Sequence, residues 1–468
     1  MNQNASLRAL LWIVAAGFFM QALDTTIVNT ALPAMAHSLG ERAFAMQPVI
    51  VSYSLTMAML TPASGWLADR FGTRRVYFAA ILIFVIGSAF CAGSHTLGQL
   101  VIARVVQGVG GSMLLPIGRL AVLRGFPSEQ YLSALAFVSV SGQIGPLIGP
   151  VLGGWLVQTV SWHWIFLINL PIGALGLIAV QRFLPKENVR DQAPPFDIVG
   201  FGLLSVCMVA FSLALDLPGQ MQAASRLRWA MVLLALSVIT AYAYLPHARR
   251  RAEPLFPLAL FRARSFSLGL IGNLVARIGS SSVPFLLPLL LQVELGYTPL
   301  HSGLTMLPIA AAGTIAKRWV TPLVKRYGYA HFLVGNTVLV GASIMSFAAI
   351  AQGWPLWLEL VQLAIFGAAN SMQFAAMNSV TLKDLDSRQA SSGNSLFSMA
   401  QMLAMGLGVT VGGGLVDVWS GHAGATAAFR LAFITVGFIT LLSALVFWRI
   451  DTRRPTSRKA SVAGSMND

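Results

Sequence analysis

"GWLADRFGTRR", Gly65 to Arg75, is a short charged connector between two long apolar runs. Gly65 and Gly72 permit tight packing and turning, and Asp69 can cap a helix end or pair with a nearby arginine. Farther along, "VKRYGYAHF", Val324 to Phe332, separates another two apolar runs, and Lys325-Arg326-Tyr327-Gly328 aligns with Asp69-Arg70-Phe71-Gly72. An internal repeat follows from that match, with one copy of the junction in each half of the chain.

Around these junctions the composition leaves one broad class. The 468 residues are 56% hydrophobic and only 10% charged, with a mean hydropathy of +0.72, whereas soluble domains carry roughly 25% charged residues. This is the composition of an integral membrane protein. Runs of about 20 apolar residues predict spans at 9–34, 46–67, 76–94, 98–121, 132–157, 164–184, 198–216, 229–247, 267–292, 301–318, 331–352, 355–379, 391–416 and 427–448. The runs are continuously apolar, not the short alternating segments of a transmembrane barrel, so the fold class is all-α with fourteen membrane helices.

The repeat pairs spans 1 to 6 with spans 9 to 14 and leaves spans 7 and 8 as an extra central pair. The expected organisation is a six-helix bundle over 1–184, a linker with two additional spans over 185–264, a second six-helix bundle over 265–448 and a basic tail over 449–468. Duplicated bundles of this kind build a site at the bilayer midplane between two halves that rock. The first apolar run follows Arg8 but is as long as a span and continues into polar residues, so no cleavable signal peptide is expected.

A net charge of +15 raises the question of nucleic acid; its placement points to the membrane instead. Of 31 Lys and Arg, only Arg42, Arg226, Arg228 and Arg430 fall in odd-numbered loops, Arg104 and Arg277 lie inside spans, and the rest fall on the even-loop side or the tails. The positive-inside pattern puts both termini in the cytoplasm, as an even number of spans requires. Clusters such as Arg249 to Arg251 and Arg453 to Lys459 then read as topology determinants beside anionic lipid.

Several chemistries lack their residues. No G-x-x-x-x-G-K-[ST] occurs, so any transport would draw on an ion gradient and not on ATP. Gly108-Val109-Gly110-Gly111 lies mid-span with no strand before it, and no H-E-x-x-H is present, so neither a cofactor nor a metal site is expected and the chain does not read as an enzyme. Cys91 and Cys207 sit in spans as small packing residues.

Polar residues inside the spans are the informative exceptions. Gln21, Asp24, Thr25 and Asn29 fall within an arc of roughly 140° on the first span. Asp24 is the one acid placed well inside a span, and a carboxylic acid at low dielectric exchanges its proton nearer neutrality than one in water. Asp24 is therefore a candidate proton carrier or cation reader, with a structural hydrogen-bonding role, or permanent pairing with an arginine, as the alternative. Arg104 shares a helix face with Gln107, Gly108 and Gly111.

Arg277 shares one with Asn273, Ser280, Ser281 and Pro284, a stripe that must face a cavity or a partner helix because an unpaired arginine at this depth is costly. Gly145, Gly149 and Gly153 recur every fourth residue with Pro146 and Pro150 between them, a small-residue packing face with a prolyl bend. Asn370, Gln373, Asn378, Asn394 and Gln401 offer amides to a cavity in the second half, and 27 Phe, 18 Met and 11 Trp suit an adaptable apolar site.

Taken together, "LDTTIVNTALP", "GWLADRFGTRR", "ARVVQGVGGS", "GQIGPLIGPVLGG", "WHWIFLINLPIG" and "PLLLQVELGYTPLHSGL" resemble the major facilitator superfamily, specifically its fourteen-span drug:proton antiporters. Trp162-His163-Trp164 departs from the pattern, since most relatives carry Arg in the middle. The resemblance implies proton coupling through Asp24 and Arg104, and a cytoplasmic latch at Gly65, Asp69, Arg70, Gly72, Arg74 and Arg75. It also implies an antiporter motif at Gly145, Pro146, Gly149 and Gly153, which speaks for export. Lys325, where the first copy has Asp69, implies a weaker second latch.

The expected cavity residues are Gln21, Thr25, Asn29, Gln107, Asn273, Arg277, Asn370 and Gln373. The expectation is a monomeric, proton-coupled exporter of amphipathic small molecules in the cell inner membrane, whose partners are substrate, protons and the lipid bilayer, with no nucleic acid. The alternative is an exporter of an anionic metabolite or a metal chelate such as iron-citrate, with Arg104 and Arg277 as binders.

Overall fold

A computed structural model describes residues 3–126, 128–184, 195–216 and 223–450, which are almost wholly helical with no strand among them. The tail around Arg453 to Lys459 and most of the 185–197 linker lie outside the described residues. Water cannot satisfy backbone groups in hydrocarbon, so each apolar run closes its hydrogen bonds on itself as a helix.

The first crossing is α1 (Gln3–Leu39). α2 (Gln47–Leu60) runs through a 3-10 turn at Thr61–Ala63 into α3 (Ser64–Phe71) and makes the second. α4 (Thr73–Ala92), α5 (Leu97–Gly125) and α6 (Ser128–Thr159) follow, and α7 (Trp164–Leu167) with α8 (Asn169–Phe183) completes the sixth. The extra pair is α9 (Ile198–Leu215) and α10 (Ala223–Arg250).

The second half opens with α11 (Arg264–Leu289), which ends in a π turn at Leu290–Glu294. A broken crossing follows, made of α12 (Pro299–Thr305), α13 (Leu307–Ala316) and α14 (Val320–Tyr327). The last four are α15 (Tyr329–Ser346), α16 (Leu356–Leu382), α17 (Ser387–Ala423) and α18 (Ala425–Trp448).

Among the described residues thirteen helices are long and apolar enough to span a membrane. The span expected at 301–318 is the exception, because it is interrupted and longer than its apolar run. Pro308 has no N–H for the carbonyl of Leu304, and Pro322 has none for that of Arg318, so the helix breaks before each. Lys317, which looked like the end of the span, therefore lies within the crossing.

The repeat is repeated in the backbone. Gly72 and Gly328 turn their junctions at φ 85° and 77°, and on the other side of the molecule Gly40 and Gly296 do so at 69° and 70°. Such angles strain any residue with a Cβ. The face carrying Gly72 and Gly328 also carries the arginine-rich connectors and is called the basic face here.

The two halves meet unevenly. Away from the basic face one apolar core joins Leu32, Met46 and Ile165 to Leu286, Phe347 and Phe433. Toward the basic face the cores separate, with Val76, Tyr77, Ile117 and Val122 in one half and Val320, Phe332, Val380 and Phe447 in the other. The molecule is thus sealed on the face opposite the basic one, where α6 meets α12. The extra pair lies beside the seam between α2 and α17, where Met208 and Tyr244 join Ala58 and Leu396.

Candidate functional site

Asp24 of α1 is fully buried and does not stand alone. Arg104 of α5 donates from Nη1 to Asp24 Oδ2 at 2.7 Å, and Gln107, one turn farther along α5, donates from Nε2 to Asp24 Oδ1 at 2.8 Å. Both carboxylate oxygens are engaged, by one charged and one neutral donor. Arg104 Nη1 also donates to Gln107 Oε1 at 2.6 Å, and its Nε donates to the Val49 carbonyl of α2 at 3.1 Å. The face of the guanidinium lies 4.0 Å from the Tyr53 ring centroid, a cation–π contact that leaves its in-plane donors free.

On the α4 side, Gln107 Nε2 donates to Ser88 Oγ at 2.8 Å, and Asn169 of α8 approaches the same hydroxyl at 3.4 Å. Five helices converge on one ion pair. Glycines allow them to: a Cβ at Gly87 would stand 2.5 Å from the Gln107 backbone, and one at Gly110 would run into the backbone nitrogen of Phe84. A buried pair is retained only when its desolvation is offset by such additional hydrogen bonds.

The glycines Gly145, Gly149 and Gly153 lie on α6 and pack against α1. A Cβ at Gly145 would lie 2.7 Å from Leu23 N, one at Gly153 would lie 2.8 Å from the Ile27 carbonyl, and one at Gly149 would strike Thr26 Oγ1. The stripe with Pro146 and Pro150 thus seats α6 against the stretch of α1 that carries Asp24, the most extensive helix contact in the molecule. The same helix reaches the other half, where Gly303 of α12 packs on the Pro150 carbonyl and Gly154 on that of Pro299.

The remaining cavity candidates divide. Thr25 bonds to the Gln21 carbonyl at 2.7 Å and Asn29 to that of Thr25 at 3.4 Å, while Gln21 reaches only Met57 Sδ and leaves its Oε1 without a partner. None of the three joins the Asp24 cluster through a hydrogen bond to Asp24 or Arg104. Gln107 does, and is fully buried within it, so it does not line open space.

Gln373 is a correction to the expected cavity. It accepts from Asn336 at 2.8 Å and donates to Thr337 at 2.6 Å, so its amide is spent tying α16 to α15. Asn370, Phe374 and Asn378 form another stripe of α16 and keep accessible surface. The Arg277 guanidinium lies 4.9 Å from the Phe374 centroid. Among the described residues Arg277 makes no ion pair, its Nε has no hydrogen-bond partner, and neither does either amide atom of buried Asn273.

At the basic face Asp69 pairs with Arg124, which also donates to Thr73 at 2.8 Å, and Arg74 donates to the Gln181 carbonyl. Arg74 and Arg75 line a cavity of about 420 Å³ with Phe78 and Gln181. Arg70 and Gly65 are exposed, and nothing lies near the position a Gly65 Cβ would take. All these contacts stay within the first half. Lys325 of the second copy makes no ion pair among the described residues.

Residues the sequence reading passed over complete the picture. Tyr53, Ser88 and Asn169 were single polar positions in apolar runs, with no periodic partner to flag them. Lys317 Nζ reaches across the halves to Gln143 Oε1 at 3.0 Å.

The Major Facilitator Superfamily profile matches residues 14–409 and 269–465. A Serratia proteamaculans protein described as "Putative multidrug resistance protein MdtD" is 47% identical over 464 residues, covering 98% of this chain and 96% of that protein. One of the same description from Escherichia coli O7:K1 is 48% identical over 452 residues, 95% of each. Among solved structures, the POT family transporter PepTSo superposes with a TM-score of 0.70 at 15% identity, covering 94% of this chain and 97% of that one. A D-xylose-proton symporter does so with a TM-score of 0.68 at 14% identity, over 94% and 97%.

Proposed function

This chain belongs to the Major Facilitator Superfamily and is a multi-pass membrane transporter, and from that premise we propose that it exports amphipathic small molecules in exchange for protons. The observation that carries the reading is the buried Asp24–Arg104–Gln107 cluster. A membrane-embedded carboxylate held by one arginine has two stable conditions, ionised and paired or protonated and released, and a transporter needs a group whose charge reports what is bound.

The positive-inside rule supports reading the basic face as cytoplasmic, with both termini in the cytoplasm of a cell inner membrane. The described conformation is then closed outward and open inward. In that state the proton has left Asp24 for cytoplasmic water, and Arg104 Nη1 and Gln107 Nε2 take up the carboxylate charge. Protonation from the outside removes that charge, frees Arg104 and loosens α1. The glycine stripe passes the movement through α6 to α12, where residues 1–184 and 265–448 act as the two moving halves. A single chain contains every part this cycle uses.

The test is substrate-induced proton release by the purified protein in liposomes, with 1-naphthoate, ethidium and citrate as probes over the neutral pH range. Wild type is expected to release protons on binding at least one of them, and D24N to bind it without release. Proton release retained in D24N would falsify the coupling role of Asp24.

A further inference from the structure

We propose that Arg277, Asn273 and Phe374 form a subsite for the acidic group of an amphipathic anion, a carboxylate or sulfonate joined to an aromatic body. This names the substrate class of the exporter proposed above and rests on that reading.

The first support is charge. Arg277 sits near the middle of α11, and the one acid at comparable depth, Asp24, is already bound by Arg104. Every other described acidic side chain, Glu359 included, lies near an end of a crossing. Glu359 is bound by the Tyr297 hydroxyl in the first turn of α16, about 22 Å along that helix from Phe374 at ~1.5 Å per residue. Arg277 therefore keeps an uncompensated positive charge. Lys317, on the seam with Gln143, has no acidic partner either, so a solute entering from the basic face meets a positive interior.

The second is unmet hydrogen bonding. Asn273 is 0% exposed with both amide atoms unpartnered, and it precedes Arg277 by four residues, which puts the two on one helix face. Buried amides of this kind are almost always bonded. Phe374 lies over the guanidinium at 4.9 Å, and the buried Nε–H is left with no hydrogen-bond partner. An Nε–H beside an Nη–H is the fork that holds a carboxylate through two parallel bonds. Arg277 and the Phe374 stripe also keep accessible surface although they lie deep, as cavity-lining groups do.

The third is the repeat. The register that carries Gly40 to Gly296 and Gly72 to Gly328 also carries Gln21 to Arg277. The fold accepts a neutral amide at this position in the first half, so packing does not demand the arginine in the second.

Calorimetry on the detergent-purified full chain tests this with 1-naphthoate, 1-naphthylmethanol and 1-naphthylmethylammonium. The anion is expected to bind most tightly, and R277Q to weaken it about tenfold or more, the scale of a lost charge-assisted bond. R277K should fall between, and N273D, which sets a carboxylate beside Arg277, should also weaken the anion. Equal affinity for the ammonium compound, unchanged affinity in R277Q, or no anion binding by wild type overturns the subsite. Should R277Q not fold, N273D and F374L decide in the same way. Arg277-dependent binding without proton release would refute the coupling and keep the subsite; proton-coupled transport of the ammonium probe alone would do the reverse.

Discussion

Asp24 and Asp197 are both buried carboxylates, yet different donors hold them. Asp197 precedes α9 and accepts from the backbone N–H groups of Gly200 and Leu255, each at 3.0 Å, and from His247 Nε2 at 2.7 Å. Burial by itself would raise its pKa; the Leu255 and Gly200 N–H groups and then His247 outweigh it and hold the carboxyl below the usual range. A pKa lower in the folded state gives stability that is full above the unfolded value, about 3.9, and is lost as pH falls through the folded value. D197N is therefore expected to melt at a lower temperature than wild type at neutral pH, with the gap closing as the buffer is taken below about pH 4. A constant gap at every pH would show that the charge of Asp197 is not what stabilises. Asp24 was legible because a charge inside an apolar run has few explanations. The role of Asp197 was not, because two of its partners, His247 and Leu255, come from α10 and the connector beyond it.

At the scale of elements, glycines decide how near two helices come. A Cβ at Gly149 strikes Thr26 on α1, whereas one at Gly65 meets nothing in this conformation. G149V is expected to destabilise the protein by about 1–3 kcal/mol, as overpacking does, read as a lower melting temperature. G65V should melt like wild type and yet slow transport, because closing the basic face must bring another helix onto this open position. If both variants melt and transport alike, the glycines serve neither purpose. The spacing of the α6 glycines predicted a packing face, but not that α1 fills it. The broken crossing of α12 to α14 shows the converse. Pro308 and Pro322 were in plain view, but the charges of Lys317 and Arg318 looked like a membrane boundary, and Lys317 is accommodated there by Gln143, a residue far away in the chain.

For the whole molecule, the shared core on one side and divided cores on the other define which face opens. The sealed face must part during transport. Leu300 N donates to Gln158 Oε1 at 3.3 Å across that seam, so cysteines at these two positions, with Cys91 and Cys207 replaced by alanine, probe it. A short reversible thiol cross-linker is expected to arrest transport and a reductant to restore it; full cross-linking with transport intact would mean that the halves separate elsewhere. By itself the sequence determined the helical membrane class, the duplication, the basic face and the polar positions within the spans, because these follow from local composition and spacing. Only the tertiary structure decided that Arg104 neutralises Asp24, that Gln373 turns into α15, that no described acid pairs with Arg277 and which face is closed. Each of these depends on how helices distant in the chain are rotated and set against one another, and a helix's own periodicity gives its faces but not what they meet.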